Sequence, residues 1–194
     1  MSATQNQNVP MSRLMVVTGI VAVLFMGSLL LTEFAGVPEI LGDTDWKSFF
    51  IPYMFVALLP YGYATLSVGF GAALGEGILD VVEGYAPDDA FGFAGYVIGF
   101  WAFGYVLHQW GDPNNKYHLT VAAIFGAFVQ ILIEGIGYLA VAGESVPFYI
   151  INVIGNTVTH GIVLGAIPLL VIYPLLQGRI ERYLGFAPQS TEAN

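Results

Sequence analysis

The chain has 194 residues, of which 56% are hydrophobic and only 10% are charged. Because an ordinary soluble domain carries about 25% charged residues, this composition excludes a water-soluble globule. The net charge of −9, from 14 acidic against 5 basic residues, argues against a nucleic-acid partner. The chain has no cysteine, which excludes disulfides, thiolate metal sites and iron–sulfur clusters.

Long uncharged stretches predict an all-α fold, a polytopic membrane helix bundle. A helix needs about 20 apolar residues to cross a hydrocarbon core about 30 Å thick. Residues 1–12 and 187–194 are predicted polar tails around one transmembrane domain, residues 13–186. Six spans are predicted in chain order: Leu14–Gly36, Phe49–Gly62, Ala64–Glu83, Ala90–Trp110, Tyr117–Ala142, and Pro147–Pro168 with a continuation to Leu176.

The second and third spans are separated by a predicted break. As a single helix, residues 49–83 would be about 52 Å long, far more than the bilayer core. Pro60 and Gly62 offer the interruption, because proline lacks the amide hydrogen that a helix interior needs. Six transmembrane helices are therefore preferred, and five are the alternative.

Basic residues predict the orientation, because they concentrate on the cytoplasmic side of membrane proteins. With six spans and an internal amino terminus, Arg13, Lys116, Arg179 and Arg182 are cytoplasmic and only Lys47 is outside. A five-span layout with an external amino terminus gives the same four-to-one distribution, so charge does not decide between the layouts. The preferred layout is a multi-pass protein of the cell membrane with both termini in the cytoplasm.

Carboxylates at membrane depth are the main functional signal, because an acidic residue at a helix centre costs about 2.5–3.5 kcal/mol. In the third span, Glu76, Asp80 and Glu83 follow at spacings of four and three, which places them along one helix face. In the fifth span, Gln130 and Glu134 are four residues apart. Such groups usually face a cavity or a partner rather than lipid.

The sixth span carries a polar stripe of Asn152, Asn156 and His160 at intervals of four residues. Since the third and fifth spans run outward and the sixth runs inward, the stripe and the acids share the outer half of the membrane. Amides and imidazoles also join membrane helices through hydrogen bonds, so a structural role for the stripe is an equal alternative. The predicted substrate-binding residues are Glu76, Asp80, Glu134, Asn152, Asn156 and His160.

The sequence holds no phosphate-binding loop, nucleophile elbow, zinc-protease motif or dinucleotide-binding turn. We therefore predict no enzyme, no catalytic residue, no metal ligand and no cofactor. Aromatic residues near the outer ends of the spans would suit a cationic compound, because a cation is attracted to the face of an aromatic ring.

The run SVGFGAALGEGILDVVEGYAPDDAFGFAGYVIGF, residues 67–100, is a glycine-spaced helix that ends in acids, a short outer loop and a second glycine-rich helix. Together with NVIGNTVTHGIVLG in the last span, it resembles the substrate-binding S component of energy-coupling factor (ECF) transporters. Chain size, six spans and the long outer loop at residues 37–48 fit the same family.

The resemblance implies a subunit that captures a small polar, vitamin-like compound from outside, with the loop at residues 37–48 as an outer lid. It also implies partners, namely a transmembrane scaffold subunit and ATPase subunits, in addition to the lipid bilayer and the small-molecule substrate. The residues alone leave an alternative, an autonomous proton- or cation-coupled transporter or channel in which the same acids titrate or pass the ion.

Overall fold

The computed structural model describes residues 9–35 and 44–186, and its regular elements in these ranges are all helical. Wide π-helical turns extend α5 over Tyr138–Ala142 and join α6 to α7 over Thr159–Ala166. The predicted all-α membrane helix bundle is thus confirmed. The α-helices are α1 (Met11–Phe34), α2 (Phe50–Leu58), α3 (Tyr63–Glu83), α4 (Asp89–Trp110), α5 (Lys116–Gly137), α6 (Val146–Val158), α7 (Ile167–Leu176) and α8 (Ile180–Tyr183).

Within the described residues, five helices are long and apolar enough to cross a membrane, which makes the chain a multi-pass membrane protein. They are α1, α3, α4, α5 with its π-helical turn, and the continuous stretch Val146–Leu176. The second predicted span, Phe49–Gly62, differs from these. Its helix α2 has nine residues and rises only about 13 Å, less than half of the bilayer core. Seven of the nine residues are buried, so α2 is a core element rather than a spanning helix.

Local sequence signals fix several helix ends. The break between α2 and α3 lies where it was predicted, and Gly62 there has a φ of +120°, which favours glycine. Helix α6 begins after Ser145, whose hydroxyl accepts a hydrogen bond from the backbone N–H of Phe148. Helix α1 begins at Met11, so the predicted tail is helical from that residue, whereas residues 1–8 and 187–194 lie outside the described ranges.

Helices α1 and α3 run in parallel. The Thr18 hydroxyl donates to the Ser67 carbonyl at 3.0 Å, and a Cβ on Gly75 would lie 2.7 Å from the Ala22 carbonyl oxygen. Both residue numbers therefore rise in the same direction along the pair. The chain must return between these two helices, and residues 44–62, which include α2, provide that return.

Helix α2 completes the return by running alongside α4. The ring of Phe49, at the start of α2, lies 5.8 Å from that of Tyr96. Near the other end of α2, Val56 lies beside Gly104, which follows Tyr96 by eight residues along α4. Helices α3 and α4 are antiparallel, because Gly69 lies close to Val97 and Gly77 close to Phe93. Helix α2 therefore runs opposite to α1 and α3. Over residues 9–35 and 44–186 the chain thus runs across the bundle six times, although only five of its helices are long enough to span a membrane.

The two ends of the described chain lie on the same side of the bundle. The Arg13 guanidinium donates to the carbonyl of Gly185. We call this end the terminal face, and the opposite end, with residues 84–88 and 143–145, the cavity face. A five-pass chain would place its ends on opposite faces, so this contact favours the six-pass layout.

Candidate functional site

A cavity of about 240 Å³ lies between α3, α4 and α5 near the cavity face. Among the described residues, five carboxylates and no basic side chain line it. Aromatic rings complete its wall, and small residues let the helices approach closely around it. The acidic lining residues are Glu76, Asp80, Asp88, Asp89 and Glu134, and the aromatic ones are Tyr85, Phe93, Tyr96 and Tyr138.

Lys47, in the connection that precedes α2, is bound to acids of this cavity. Its Nζ lies 2.6 Å from Oε1 of Glu76, 2.7 Å from Oδ2 of Asp45 and 3.9 Å from Oε1 of Glu134. The same Nζ is 5.8 Å from the centroid of the Tyr96 ring, within the range of a cation–π contact. Lys47 therefore joins α3, α4 and α5 to the connection.

This position corrects the sequence-based assignment of Lys47 to an outer loop. Glu76, its partner, lies seven residues before the end of α3 at Glu83, which corresponds to about 10 Å of helix. The side chain of Lys47 is only 14% exposed. The described end of the predicted lid, residues 44–48, therefore folds into the bundle, and residues 37–43 lie outside the described ranges.

Asp45 and Lys47 lie outside the spanning helices, and each perturbs the other's ionisation. Removal from water disfavours the charged form of Lys47, but Asp45 and Glu76 outweigh this effect and raise its pKa well above the ordinary value. Removal from water likewise disfavours ionised Asp45, but Lys47 and His160 hold its pKa well below the ordinary range. Both groups are therefore charged at neutral pH.

The polar stripe of α6 and of the π-helical turn that follows it holds the same connection from the other side. Nε2 of His160 lies 2.5 Å from Oδ1 of Asp45, and the backbone N–H of Asp45 donates to Oδ1 of Asn156 at 3.0 Å. The His160 ring stacks on Phe49 with 4.4 Å between centroids. Asn152 is buried one turn before Asn156.

The six predicted site residues thus form two groups. Glu76, Asp80 and Glu134 line the cavity. The stripe of Asn152, Asn156 and His160 does not line it but packs behind the connection, and Asp45 with Lys47 links the two groups.

Glu134 is oriented by neighbours on its own helix. Nε2 of Gln130 donates to its Oε2 at 2.5 Å, and the Tyr138 hydroxyl donates to its Oε1 at 3.4 Å. Tyr138 opens one π-helical turn, and His160 lies in the other. Such wide turns often occur at functional sites. Sequence periodicity could not find them, because it assumes one regular helix along the whole span.

No group of three histidine, aspartate or glutamate side chains in the described ranges is arranged to hold a metal ion. Three carboxylates, those of Asp45, Glu76 and Glu134, instead surround the ammonium group of Lys47. Comparisons of the chain with models of protein families, with curated proteins and with solved structures found no match.

Proposed function

We propose that this protein is the solute-binding membrane subunit of an ECF-type uptake system, and that it captures a small polar compound that carries a cationic group. The observation that carries the proposal is the cavity of about 240 Å³ lined by five carboxylates. The cavity is smaller than the volume of about 300–1,000 Å³ that is common for ligand pockets, so it suits a compound smaller than a typical drug-sized ligand.

The lining favours a cation over an anion or a neutral compound. Lys47 offers one positive charge against the carboxylates of Asp45, Glu76 and Glu134. A carboxylate away from water is costly unless a positive charge accompanies it, so a cationic ligand would be stabilised there. The rings of Tyr96 and Phe93 in the cavity wall can add stacking and cation–π contacts.

The position of the cavity supports uptake from outside. The basic residues Arg13 and Arg182 belong to the terminal face, which the positive-inside rule assigns to the cytoplasm. The cavity would then open on the external side, and the terminal face would be available to the transmembrane scaffold and ATPase subunits. The resemblance of residues 67–100 to S components agrees with this arrangement.

A continuous series of contacts between titratable side chains supports a second candidate function, that of an autonomous proton- or cation-coupled transporter. It leads from Glu76 at the cavity through Lys47 and Asp45 to His160 in the π-helical turn after α6, with each contact at 2.5–2.7 Å. Reconstitution of the purified protein alone into liposomes separates the two candidates. Cation uptake or proton flux without any partner would favour the transporter, and binding that needs an ATPase complex for uptake would favour the S-component role.

The central experiment measures binding by the protein in nanodiscs. Native mass spectrometry would first look for a retained small molecule. A panel of ammonium and guanidinium compounds would then be compared with neutral analogues of equal shape, for example choline against 3,3-dimethylbutan-1-ol. We expect cations to bind and their neutral analogues not to bind.

Two variants test whether that binding takes place in the cavity. Glu76→Gln and Glu134→Gln are each expected to weaken cation binding at least tenfold, because each removes one carboxylate from the cation site. Glu144→Gln is the matched control, since Glu144 is an exposed acid at the same face. Equal binding of cations and neutral analogues, or unchanged affinity in both cavity variants, would contradict the proposal.

A further inference from the structure

The ammonium group of Lys47 is held in the manner of a bound cationic ligand. It has three N–H donors, two of which have close carboxylate acceptors at 2.6 and 2.7 Å, on Glu76 and Asp45. Glu134 lies further away, at 3.9 Å, and the Tyr96 ring faces the charge at 5.8 Å. Three of these four partners, Glu76, Glu134 and Tyr96, are also cavity-lining residues.

The same wall has hydrogen-bonding capacity that Lys47 does not use. Tyr96 lines the cavity and is 1% exposed, yet its hydroxyl has no hydrogen-bond partner among the described residues. Oε2 of Glu76 is likewise buried without a partner in the described ranges. Buried polar groups are normally hydrogen-bonded, so these two atoms are suited to the polar group of a ligand.

We propose that Lys47 is a built-in competitor for the solute. The protonated amine of the solute takes the place of the Lys47 ammonium on Glu76 and Glu134, and Lys47 retains its pair with Asp45. This inference rests on the proposed function and deepens it, because it names the recognised group as a compact ammonium and Lys47 as the residue that sets the affinity.

The exchange leaves neither carboxylate without a positive partner. One cation replaces another, so Glu76 and Glu134 keep a positive partner when the solute binds and when it leaves. The long flexible stem of Lys47 allows its head group to move without backbone rearrangement. A solute that must displace Lys47 binds with an apparent affinity reduced by the fraction of time that the carboxylates are accessible.

The test replaces the lysine side chain by a free amine. Lys47→Ala deletes three methylene groups and the ammonium, and n-propylammonium supplies the same atoms. We expect n-propylammonium to bind Lys47→Ala protein at least tenfold more tightly than wild-type protein, and to raise its unfolding temperature. Neutral 1-propanol should do neither. Lys116→Ala, at an exposed lysine on the opposite face, should behave as wild type.

The site of binding is checked in a second variant. Adding Glu76→Gln to Lys47→Ala should remove most of the gained affinity, because Glu76 makes the shortest contact to the ammonium. Equal affinity of wild-type and Lys47→Ala protein for n-propylammonium would overturn the inference. Binding that persists unchanged in the double variant would also overturn it.

The inference stays testable if Lys47→Ala is unstable. In that case the yield of monodisperse protein is measured with n-propylammonium or 1-propanol present throughout purification. Recovery with the amine alone supports the inference, and equal yields with both additives contradict it.

The two proposals can fail separately. If wild-type protein binds choline but Lys47→Ala gains no affinity for n-propylammonium, the role of Lys47 is refuted and the proposed function stands. If Lys47→Ala binds n-propylammonium but the wild-type protein binds no cationic compound, the proposed function is refuted.

Discussion

Asp45 joins the two halves of the site, and replacing it by asparagine should destabilise the protein measurably. Its carboxylate contacts Lys47 at 2.7 Å and His160 at 2.5 Å. Breaking a buried ion pair costs about 3–5 kcal/mol. The Asp45 side chain is 32% exposed, and asparagine keeps one acceptor oxygen, so we expect a smaller loss of about 1–3 kcal/mol.

Thermal unfolding in detergent, followed by tryptophan fluorescence, measures this loss. For a chain of this size, 1 kcal/mol corresponds to about 2–4 °C in the unfolding temperature, so a loss of 2 kcal/mol lowers it by about 4–8 °C. Glu144→Gln removes an exposed acid and serves as control. An unfolding temperature for Asp45→Asn less than about 2 °C below that of the control would refute the ion-pair network, because the smallest expected loss, about 1 kcal/mol, corresponds to about 2 °C.

The pH dependence of the same pair of proteins gives a second measurement. The folded protein holds the pKa of Asp45 well below its ordinary value of 3.8. The stability from Asp45 is therefore fully present above about pH 4 and is lost as the pH falls towards the folded-state pKa. The difference in unfolding temperature between wild type and Asp45→Asn should shrink as the pH falls below about 4. A difference that grows as the pH falls below about 4 would contradict this sign.

Two further predictions concern the bundle itself. Gly99→Ala should lower the free energy of unfolding by about 1–3 kcal/mol, because its Cβ would lie 2.8 Å from the Gly126 carbonyl oxygen. Gly19→Ala is the control: no atom lies within 4 Å of the added Cβ, so it should be neutral or stabilising in the same unfolding assay. The six-pass topology predicts that single cysteines at Tyr183 and Glu144 react with a membrane-impermeant maleimide from opposite sides of sealed vesicles, and labelling from one side would refute it. The absence of native cysteine makes that labelling specific.

The sequence by itself was sufficient for the fold class, because membrane insertion depends on hydropathy summed over about 20 neighbouring residues. The break at Pro60 and Gly62 also followed from local chemistry. Helical spacing placed Glu76 and Asp80 on one face, and both line the cavity. These features depend only on residues close together in the chain.

Only the tertiary structure decided which faces meet. Asp45 and His160 are 115 positions apart, and no local pattern indicates that they touch. Charge counting could not distinguish five passes from six, whereas the contact of Arg13 with Gly185 could. From the sequence, Lys47 is assigned to a loop, because a hydropathy profile reflects its charge but not the carboxylates that neutralise that charge in the folded protein. Its burial is tolerated only because α3, α5 and the connection bring carboxylates to it, and that is a property of the packed bundle.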